Sequence, residues 1–281
     1  MHPSASTSHA GKHVLHLSPR DIPPLPDAMV ELLGIANDPN VSFDKLSEVM
    51  CRDQALTLRV LAVANSPYYG CSRRIDSVRS AIAVLGTKQV QNIASAMALA
   101  PAFESRRGPQ LWQHGLTVAV WTSRVVHALG VPPLDYVFTA GLLHDIGVVL
   151  LLGGAPEQED ACIAAAERDG LQLCEVERER LGTDHAEIGA RACSSWKLPG
   201  RLAELVRDHH DDDAHGALDL RVLQVASALA ELCDEQRDPS PQCAHWSGTM
   251  EALARLGLNE EDVDSLIEER GEVCSAASAF G

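Results

Sequence analysis

Apolar residues recur along most of the chain at the three- and four-residue spacing of helices, and no segment shows the sustained alternation of a strand. In the first hundred residues, capping and breaking residues such as Ser42, Asp53 and Gly86 divide this pattern into separate helices. The predicted helices span residues 28–36, 43–51, 54–64, 77–85 and 87–99. The sequence therefore predicts an all-α fold.

The helical pattern continues after a segment of linker composition at residues 101–110, while residues 175–181 read as a turn region. Further helices are predicted at residues 111–129, 135–146, 156–168, 184–196, 198–210, 219–233, 249–256 and 260–270. Small and polar residues dominate both ends of the chain, which is typical of loose termini. We predict flexible tails at residues 1–17 and 271–281, and helical lobes at residues 18–105 and 106–270.

The charge of the chain argues against nucleic acid as a general partner. A formal net charge of -16 repels phosphate backbones. The helix pair at residues 77–85 and 87–99, with Arg73, Arg74, Arg79 and Lys88 nearby, can also be interpreted as a helix-turn-helix reader of DNA. Helix hairpins are the ordinary unit of an all-α lobe, however, and the acidic chain favours that interpretation.

The cysteines and the apolar segments indicate a cytoplasmic protein. Eight cysteines are scattered without a Cys-x-x-Cys pair, which favours reduced thiols over a disulfide framework or a zinc ribbon. The N-terminus lacks the apolar core of a signal peptide, and no segment approaches the ~20 apolar residues of a membrane span. We expect no membrane association, and the pattern specifies no oligomeric state.

The candidate chemistry begins with the dipeptide His144-Asp145, which follows an apolar run. An imidazole nitrogen and a carboxylate can bind one divalent ion, and the second carboxylate oxygen can bridge to another ion. Gly147 is predicted to end the preceding helix in a left-handed conformation. The alternative is a buried helix end with no ligand role.

Further histidines stand at His114, His185 and the pair His209-His210. Asp184 can either cap the helix that begins near His185 or hold its imidazole in place. Two interpretations remain open for the whole set. The imidazoles either bind a metal together with Asp145 or are buried and satisfied by hydrogen bonds.

The order of these residues resembles the metal-ligand order of the HD superfamily, and of the HD-GYP phosphodiesterases in particular. The resemblance implies a ligand set of His114, His144, Asp145, His185, His209 and His210. The final aspartate of that family lies on a later helix in a pattern like Ala-Asp-x-Leu, and Ser227 stands at the matching position here. Val148 occupies the place of a lysine found in many active relatives, and residues 211–213 are all aspartate where Gly-Tyr-Pro would follow.

A second resemblance covers roughly residues 20–215. Residues 53–70 and 77–86 resemble the HDOD domain, the HD-related output domain of bacterial signalling proteins, in an Asp-x-x-Leu helix, an Asn-Ser-x-x-Tyr-Gly turn and an Ala-Ile-x-x-Leu-Gly hairpin. The match continues through His114 and His185 to residues 196–199. It implies a two-lobed helical HDOD fold whose lobe at residues 106–270 is HD-like.

These resemblances imply a regulatory protein of bacterial signal transduction that contacts other signalling proteins in phosphorelay or cyclic-dinucleotide pathways. No catalytic residue is then expected, and a partial site would hold one divalent ion, such as iron or manganese, or none. The alternative is a metal-dependent phosphohydrolase acting on a phosphodiester or nucleotide. In that case His144 and Asp145 would carry the chemistry, with a carboxylate lent by Glu231, one turn beyond Ser227.

Overall fold

The computed structural model describes residues 22–278, apart from residues 26, 39, 67, 68, 70, 72, 135, 212–216 and 232–243. The expectations for the tail at residues 1–17, for aspartates 212 and 213 and for residues 279–281 therefore lie outside the described residues. Throughout the described part of the chain the regular structure is helical, and no strand occurs there. The all-α prediction is confirmed.

The N-terminal lobe is built around one helix that is buried along most of its length. Its helices are α1 (Asp27–Ala36), α2 (Phe43–Cys51), α3 (Gln54–Ala64), α4 (Val78–Leu85) and α5 (Thr87–Leu99). Every residue of α5 from Val90 to Leu99 is buried, and α1, α3 and α4 all pack against this helix. Ser42 and Ser77 cap α2 and α4 by accepting backbone N–H groups, and Gly86, at φ 85°, makes the tight turn into α5.

A 3₁₀ turn (Ala100–Phe103) leads into the C-terminal lobe, whose longest helix is α6. The helices of this lobe are α6 (Gly108–Ala128), α7 (Val137–Leu143), α8 (Ile146–Gly154), α9 (Pro156–Asp169), α10 (Leu173–Leu181), α11 (His185–Ser195), α12 (Gly200–Asp208), α13 (Leu218–Glu231), α14 (Ala244–Arg255), α15 (Glu260–Glu268) and α16 (Arg270–Ser278). The central residues of α6 are buried beneath α7, α13 and α16. Helix α11 packs on both α8 and α12, and α12 also packs on α7.

The two lobes share one continuous hydrophobic core. A buried polar contact also joins them, because the Thr139 hydroxyl of α7 donates to the Asn37 side-chain oxygen at 2.9 Å, and Asn37 donates to the Leu33 carbonyl at 2.8 Å. Near the start of the described chain, the Trp196 indole N–H donates to the Pro23 carbonyl at 2.8 Å. The first contact ties the N-terminal lobe to α7, which leads into the His-Asp dipeptide, and the second ties the start of the described chain to the end of α11.

One apolar segment meets the length and composition of a membrane span. Residues 137–154 have a mean hydropathy of 1.8 over 18 residues, but 78% of that stretch is buried inside the protein. The segment is interrupted at His144 and Asp145, between α7 and α8. Its apolar side chains are buried in the core, where α7 packs against α6 and α13 and α8 packs against α11.

The structure differs from the sequence-based expectations at several places, among them helix α8 (Ile146–Gly154), which the helix predicted at residues 135–146 did not cover. Residues 270–278 form α16 with Val273, Ala276 and Ala277 buried, whereas a loose tail was expected from residue 271. Small residues look weakly hydrophobic, yet alanine is the best helix former and its short side chain allows close packing on α6. Residues 173–181 form α10, whereas a turn region was expected at residues 175–181. The helix was missed because a short charged helix shows little apolar periodicity.

Gly147 lies inside the first turn of α8 and does not end a helix. Its φ is not among the positive values found at other glycines, so its role is close approach. A Cβ atom built on Gly147 would come within 1.9 Å of the His185 carbonyl oxygen. The glycine therefore allows the backbones of α8 and α11 to touch.

We expect Gly147→Ala to lower the free energy of unfolding by about 3 kcal/mol, because the methyl group must push two backbone segments apart. Gly153→Ala is the matched control on the same helix, since nothing lies within 4 Å of a Cβ there. That substitution should be neutral or stabilising by up to about 1 kcal/mol. Urea unfolding of both variants measures the difference, and equal stabilities would contradict the close approach of α8 and α11.

Candidate metal centre

The structure brings all six candidate ligands together around the carboxylate of Asp145. The side chains come from four places in the chain: His114 on α6, His144 and Asp145 in the break between α7 and α8, His185 at the start of α11, and His209 and His210 after α12. Oδ2 of Asp145 lies 3.2 Å from His144 Nε2 and 3.7 Å from His114 Nε2. Oδ1 lies 3.5 Å from His185 Nε2 and 3.7 Å from His209 Nε2.

Two sets of potential ligand atoms share the Asp145 carboxylate. The first set contains Asp145, His185, His209 and His210, and the second contains His114, His144 and Asp145, with the atoms of each set within 4.8 Å of one another. Within the first set, Nε2 of His210 lies 2.9 Å from Nε2 of His185. The four-residue set matches the number of protein donors that a mononuclear divalent ion requires.

The break between α7 and α8 aims the dipeptide at the other histidines. Asp145 has φ -99° and ψ 12°, a backbone conformation that many active-site residues adopt. Gly115, which follows His114, allows α6 to approach α7, because a Cβ there would lie 2.9 Å from the Leu142 carbonyl oxygen. Close packing of α6 on α7 thus brings His114 beside His144, with ring centroids 5.1 Å apart.

The hydrogen bonds of three buried imidazoles determine which ring nitrogen carries the proton. Nδ1 of His144 lies 2.9 Å from the Gly141 carbonyl oxygen, and Nδ1 of His209 lies 2.6 Å from the Val206 carbonyl oxygen. Nδ1 of His185 lies 2.7 Å from Oε2 of Glu177. Since a carbonyl or carboxylate oxygen only accepts, each Nδ1 donates, and a neutral ring keeps its lone pair on Nε2.

Three Nε2 lone pairs therefore converge on carboxylate oxygens, which are acceptors as well. Acceptors that face each other repel, and the buried Nε2 of His209 has no hydrogen-bond partner within the described structure. A cation placed between these atoms removes the repulsion and uses the orphaned lone pair. The donor set of imidazoles and one carboxylate fits iron, manganese, zinc or a similar divalent ion.

The protonation of the site also favours metal binding. Burial opposes ionisation of Asp145, but the neighbouring imidazoles, first of all that of His144, hold the pKa of this carboxyl well below its usual range. Desolvation, followed by the charges of the neighbouring imidazoles, lowers the pKa of His210 although this residue is exposed at the surface, and burial lowers the pKa of His209. Both rings are therefore neutral at physiological pH, which is the state a metal ligand needs.

Glu177 is a residue of the candidate site that the sequence analysis missed. It is fully buried on α10, and its Oε2 accepts both the backbone N–H of His185 at 2.8 Å and the Nδ1–H at 2.7 Å. Although burial opposes protonation of His185, the bond to Glu177 raises the pKa of this imidazole above its ordinary value. A carboxylate behind a histidine fixes the ring and makes Nε2 a stronger donor to a metal.

A second buried carboxyl stands behind Glu177. Burial, and then the neighbouring charge of Glu177, raises the pKa of Glu159 to about 9. Glu159 is therefore protonated at neutral pH and adds no negative charge behind the site. Glu177 lies eight residues before His185 in the sequence. Its role could not be inferred because residues 175–181 were predicted to be a turn region and not a helix.

Asp184 acts as a helix cap. Its Oδ1 accepts the Glu187 backbone N–H at 2.8 Å, and its other oxygen pairs with Arg178. Of the two roles considered for Asp184, the structure shows the cap, while Glu177 holds the His185 imidazole.

The positions at which the sequence differs from the active HD pattern do not belong to the two sets of potential metal ligands. Ser227 is half-buried on α13, and neither set of potential ligands includes a residue of α13 or the carboxylate of Glu231 within the described chain. Val148 is buried against Leu152 and Ile163 in a small satellite core. Asp145 therefore supplies the anionic ligand of both sets.

We expect Glu177→Gln to weaken binding of a divalent ion by about 10- to 100-fold, because the amide keeps a hydrogen-bond acceptor but removes the charge behind His185. Competition with a chelator, using Mn²⁺ or Co²⁺, measures the affinity. Glu187→Gln, at an exposed position on α11 where Glu187 pairs with Arg191, is the control and should bind the ion as the unmodified protein does. Equal affinities for the two variants would refute the role of Glu177.

Comparisons with known proteins agree with this architecture. A protein from Treponema pallidum (strain Nichols), named only as uncharacterized, is 26% identical over 207 residues. The match covers 68% of this chain but 38% of the Treponema protein, so the chain spans well under half the length of that relative.

Solved structures share the fold over nearly the whole chain. A protein from Shewanella amazonensis SB2B, provisionally named a phosphohydrolase, is 25% identical with a TM-score of 0.77, covering 94% of this chain and 96% of its own. A protein from Marinobacter aquaeolei VT8, provisionally named for signal transduction, is 22% identical with a TM-score of 0.75, covering 96% of this chain and 62% of its own. The latter match shows the fold alone.

The family model of the HDOD domain matches residues 22–212, which is more than half of the chain and includes all six candidate ligands. Its boundaries enclose the N-terminal lobe, the break at His144 and Asp145, and the two histidines after α12. This chain belongs to the HDOD domain family, with an HD-superfamily fold.

Proposed function

We propose that this protein is a regulatory, non-catalytic member of a bacterial signalling system that holds one divalent ion and acts through contacts with other signalling proteins in the cytoplasm. The observation that carries the proposal is the anionic content of the centre. Asp145 is the sole carboxylate in the two potential ligand sets of the described residues, and Ser227 replaces the carboxylate that the HD pattern expects on α13.

The charges near the centre match one dication better than two. Asp145 and Glu177 together supply two negative charges, which balance a single divalent ion. A second dication would leave two positive charges without compensation beside buried rings, and uncompensated buried charge is costly. A serine hydroxyl at position 227 offers neither charge nor a strong ligand.

The four-residue set is the better place for that ion. Asp145, His185, His209 and His210 would hold it, and Glu177 would orient His185 from behind. A bound divalent ion supplies positive charge and Lewis acidity at this point. The protein residues tie the α7–α8 break to the beginning of α11 and the end of α12, so the arrangement of these helices would depend on occupancy.

A metal-dependent phosphohydrolase is the second candidate, favoured by the second ligand set. His114, His144 and Asp145 share the Asp145 carboxylate with the first set, as a bridging ligand would, and the His114 and Asp145 side chains remain 32% and 22% exposed. The provisional name of the similar Shewanella protein supports the same class. In that case His144 and Asp145 would carry the chemistry on a phosphodiester or nucleotide.

Metal analysis of protein purified without a histidine tag separates the two candidates. We expect about one ion per chain from the four-donor set, and negligible hydrolysis of bis(4-nitrophenyl) phosphate or a cyclic dinucleotide. Two firmly bound ions and robust hydrolysis that His144→Ala abolishes would overturn the regulatory assignment in favour of the enzyme.

Ser227→Asp tests the charge argument directly. The new carboxylate should increase binding of a second ion, because it supplies the missing anionic ligand on the helix that the HD pattern uses. Ala228→Asp adds the same charge to the neighbouring position of α13 and is the control, which should leave metal content unchanged. Hydrolysis need not return in Ser227→Asp, since Val148 remains in the satellite core where many active relatives carry a lysine.

A further inference from the structure

A cavity with a volume of about 820 Å³ opens where the N-terminal lobe meets the beginning of α6. Its volume lies within the range of small-molecule sites, ~300–1,000 Å³. The side chains that matter are Arg59 from α3, Met97 from α5, Phe103 and Glu104 from the turn between the lobes, and Trp112 and Gln113 from α6. None of these belongs to the two sets of potential metal ligands.

One wall of this cavity is apolar and aromatic. Phe103 is buried and supports the half-buried Trp112, with ring centroids 5.2 Å apart and planes inclined by 55°. Met97 adds a polarizable thioether to the same wall. An aromatic ring of a ligand fits such a wall, because aromatic groups gain both apolar burial and favourable ring contacts there.

Arg59 contributes a positive charge to the lining of the same cavity. Its guanidinium is exposed and forms no ion pair with any described residue, whereas Arg52, in the adjoining cavity of about 890 Å³, pairs with both Glu31 and Glu48. Gln113 adds an amide to the lining, and Glu104 adds an exposed carboxylate at the rim. An unpaired guanidinium presents a rigid fork of donors that suits a carboxylate, phosphate or sulfonate.

We propose that this cavity binds an aryl anion, meaning an aromatic ring system that carries one anionic group. The ring lies against Trp112, Phe103 and Met97, and the anionic group meets Arg59. Binding of this ligand does not depend on the regulatory function proposed above.

The cavity is also placed to influence the metal centre. Trp112, Gln113 and His114 are consecutive on α6, so a ligand that contacts the first two restrains the turn that carries the third. His114 belongs to the three-residue ligand set. Its restraint by a ligand concerns this three-residue set and not the four-residue set to which the proposed function assigns the ion.

The matched probes 8-anilinonaphthalene-1-sulfonate and N-phenyl-1-naphthylamine test the proposal, because they share their rings and differ in the sulfonate. Fluorescence titration is done on chelator-treated protein, so that no anion binds through a metal. We expect saturable binding of one sulfonate probe per chain, at least about tenfold tighter than the neutral probe, as a charge-assisted hydrogen bond provides. The His144→Ala protein should give the same result, which separates this site from the metal centre.

Arg59→Gln should abolish most of the tenfold preference while leaving the neutral probe unaffected. Arg59→Lys should retain part of it, because the charge remains but the fork is lost. Arg73→Gln, which removes an exposed arginine that lines neither cavity, is the control and should behave as the unmodified protein. Thermal unfolding shows whether each variant is folded.

Three outcomes would overturn the proposal. The first is sulfonate binding that never saturates at one probe per chain, and the second is equal affinity for the two probes. The third is a preference for the sulfonate that survives in folded Arg59→Gln or disappears equally in Arg73→Gln.

Discussion

The convergence of imidazole lone pairs on one half-buried carboxylate is the constraint on which the C-terminal lobe depends. Each of three rings is anchored at Nδ1 by an acceptor, namely the Gly141 or Val206 carbonyl or the Glu177 carboxylate. Two of these acceptors belong to the last turn of a helix, so the helix ends themselves direct Nε2 inwards. Without a cation, the arrangement would set acceptors against acceptors in a buried space, which is unfavourable. The geometry therefore favours a positive charge at this point, which a bound cation or a protonated imidazole would supply.

Much of the fold and of the candidate site could be predicted from local sequence patterns. Helices α1 to α5 begin and end within about a residue of the prediction, because serine caps and Gly86 mark their limits clearly. The six candidate ligands were found because histidines in a recognisable order are rare and resemble a known family. The family and its fold are confirmed, whereas metal binding by these residues stays a prediction.

The elements that were missed depend on tertiary contacts. Helix α10 is short and charged, and the value of Glu177 emerges only when α10 lies behind α11. Helix α16 owes its order to burial of Val273 and two alanines against α6, a contact that is remote in sequence. Gly147 was predicted as a helix stop because glycine often serves that purpose, while its actual role is set by a backbone that arrives from His185. Close approach between distant segments leaves no local pattern to detect.

The distribution of the candidate ligands along the chain has a consequence for folding. They are drawn from residues 114–210 and from the ends of several helices, so an unfolded chain does not present them as a group. Long loops must close before these groups meet, which places assembly of the centre late in folding. An ion that binds only the assembled centre stabilises the native state in proportion to the logarithm of its concentration. The free energy of unfolding of this protein would then rise with the concentration of free metal, independently of any contact made at its surface.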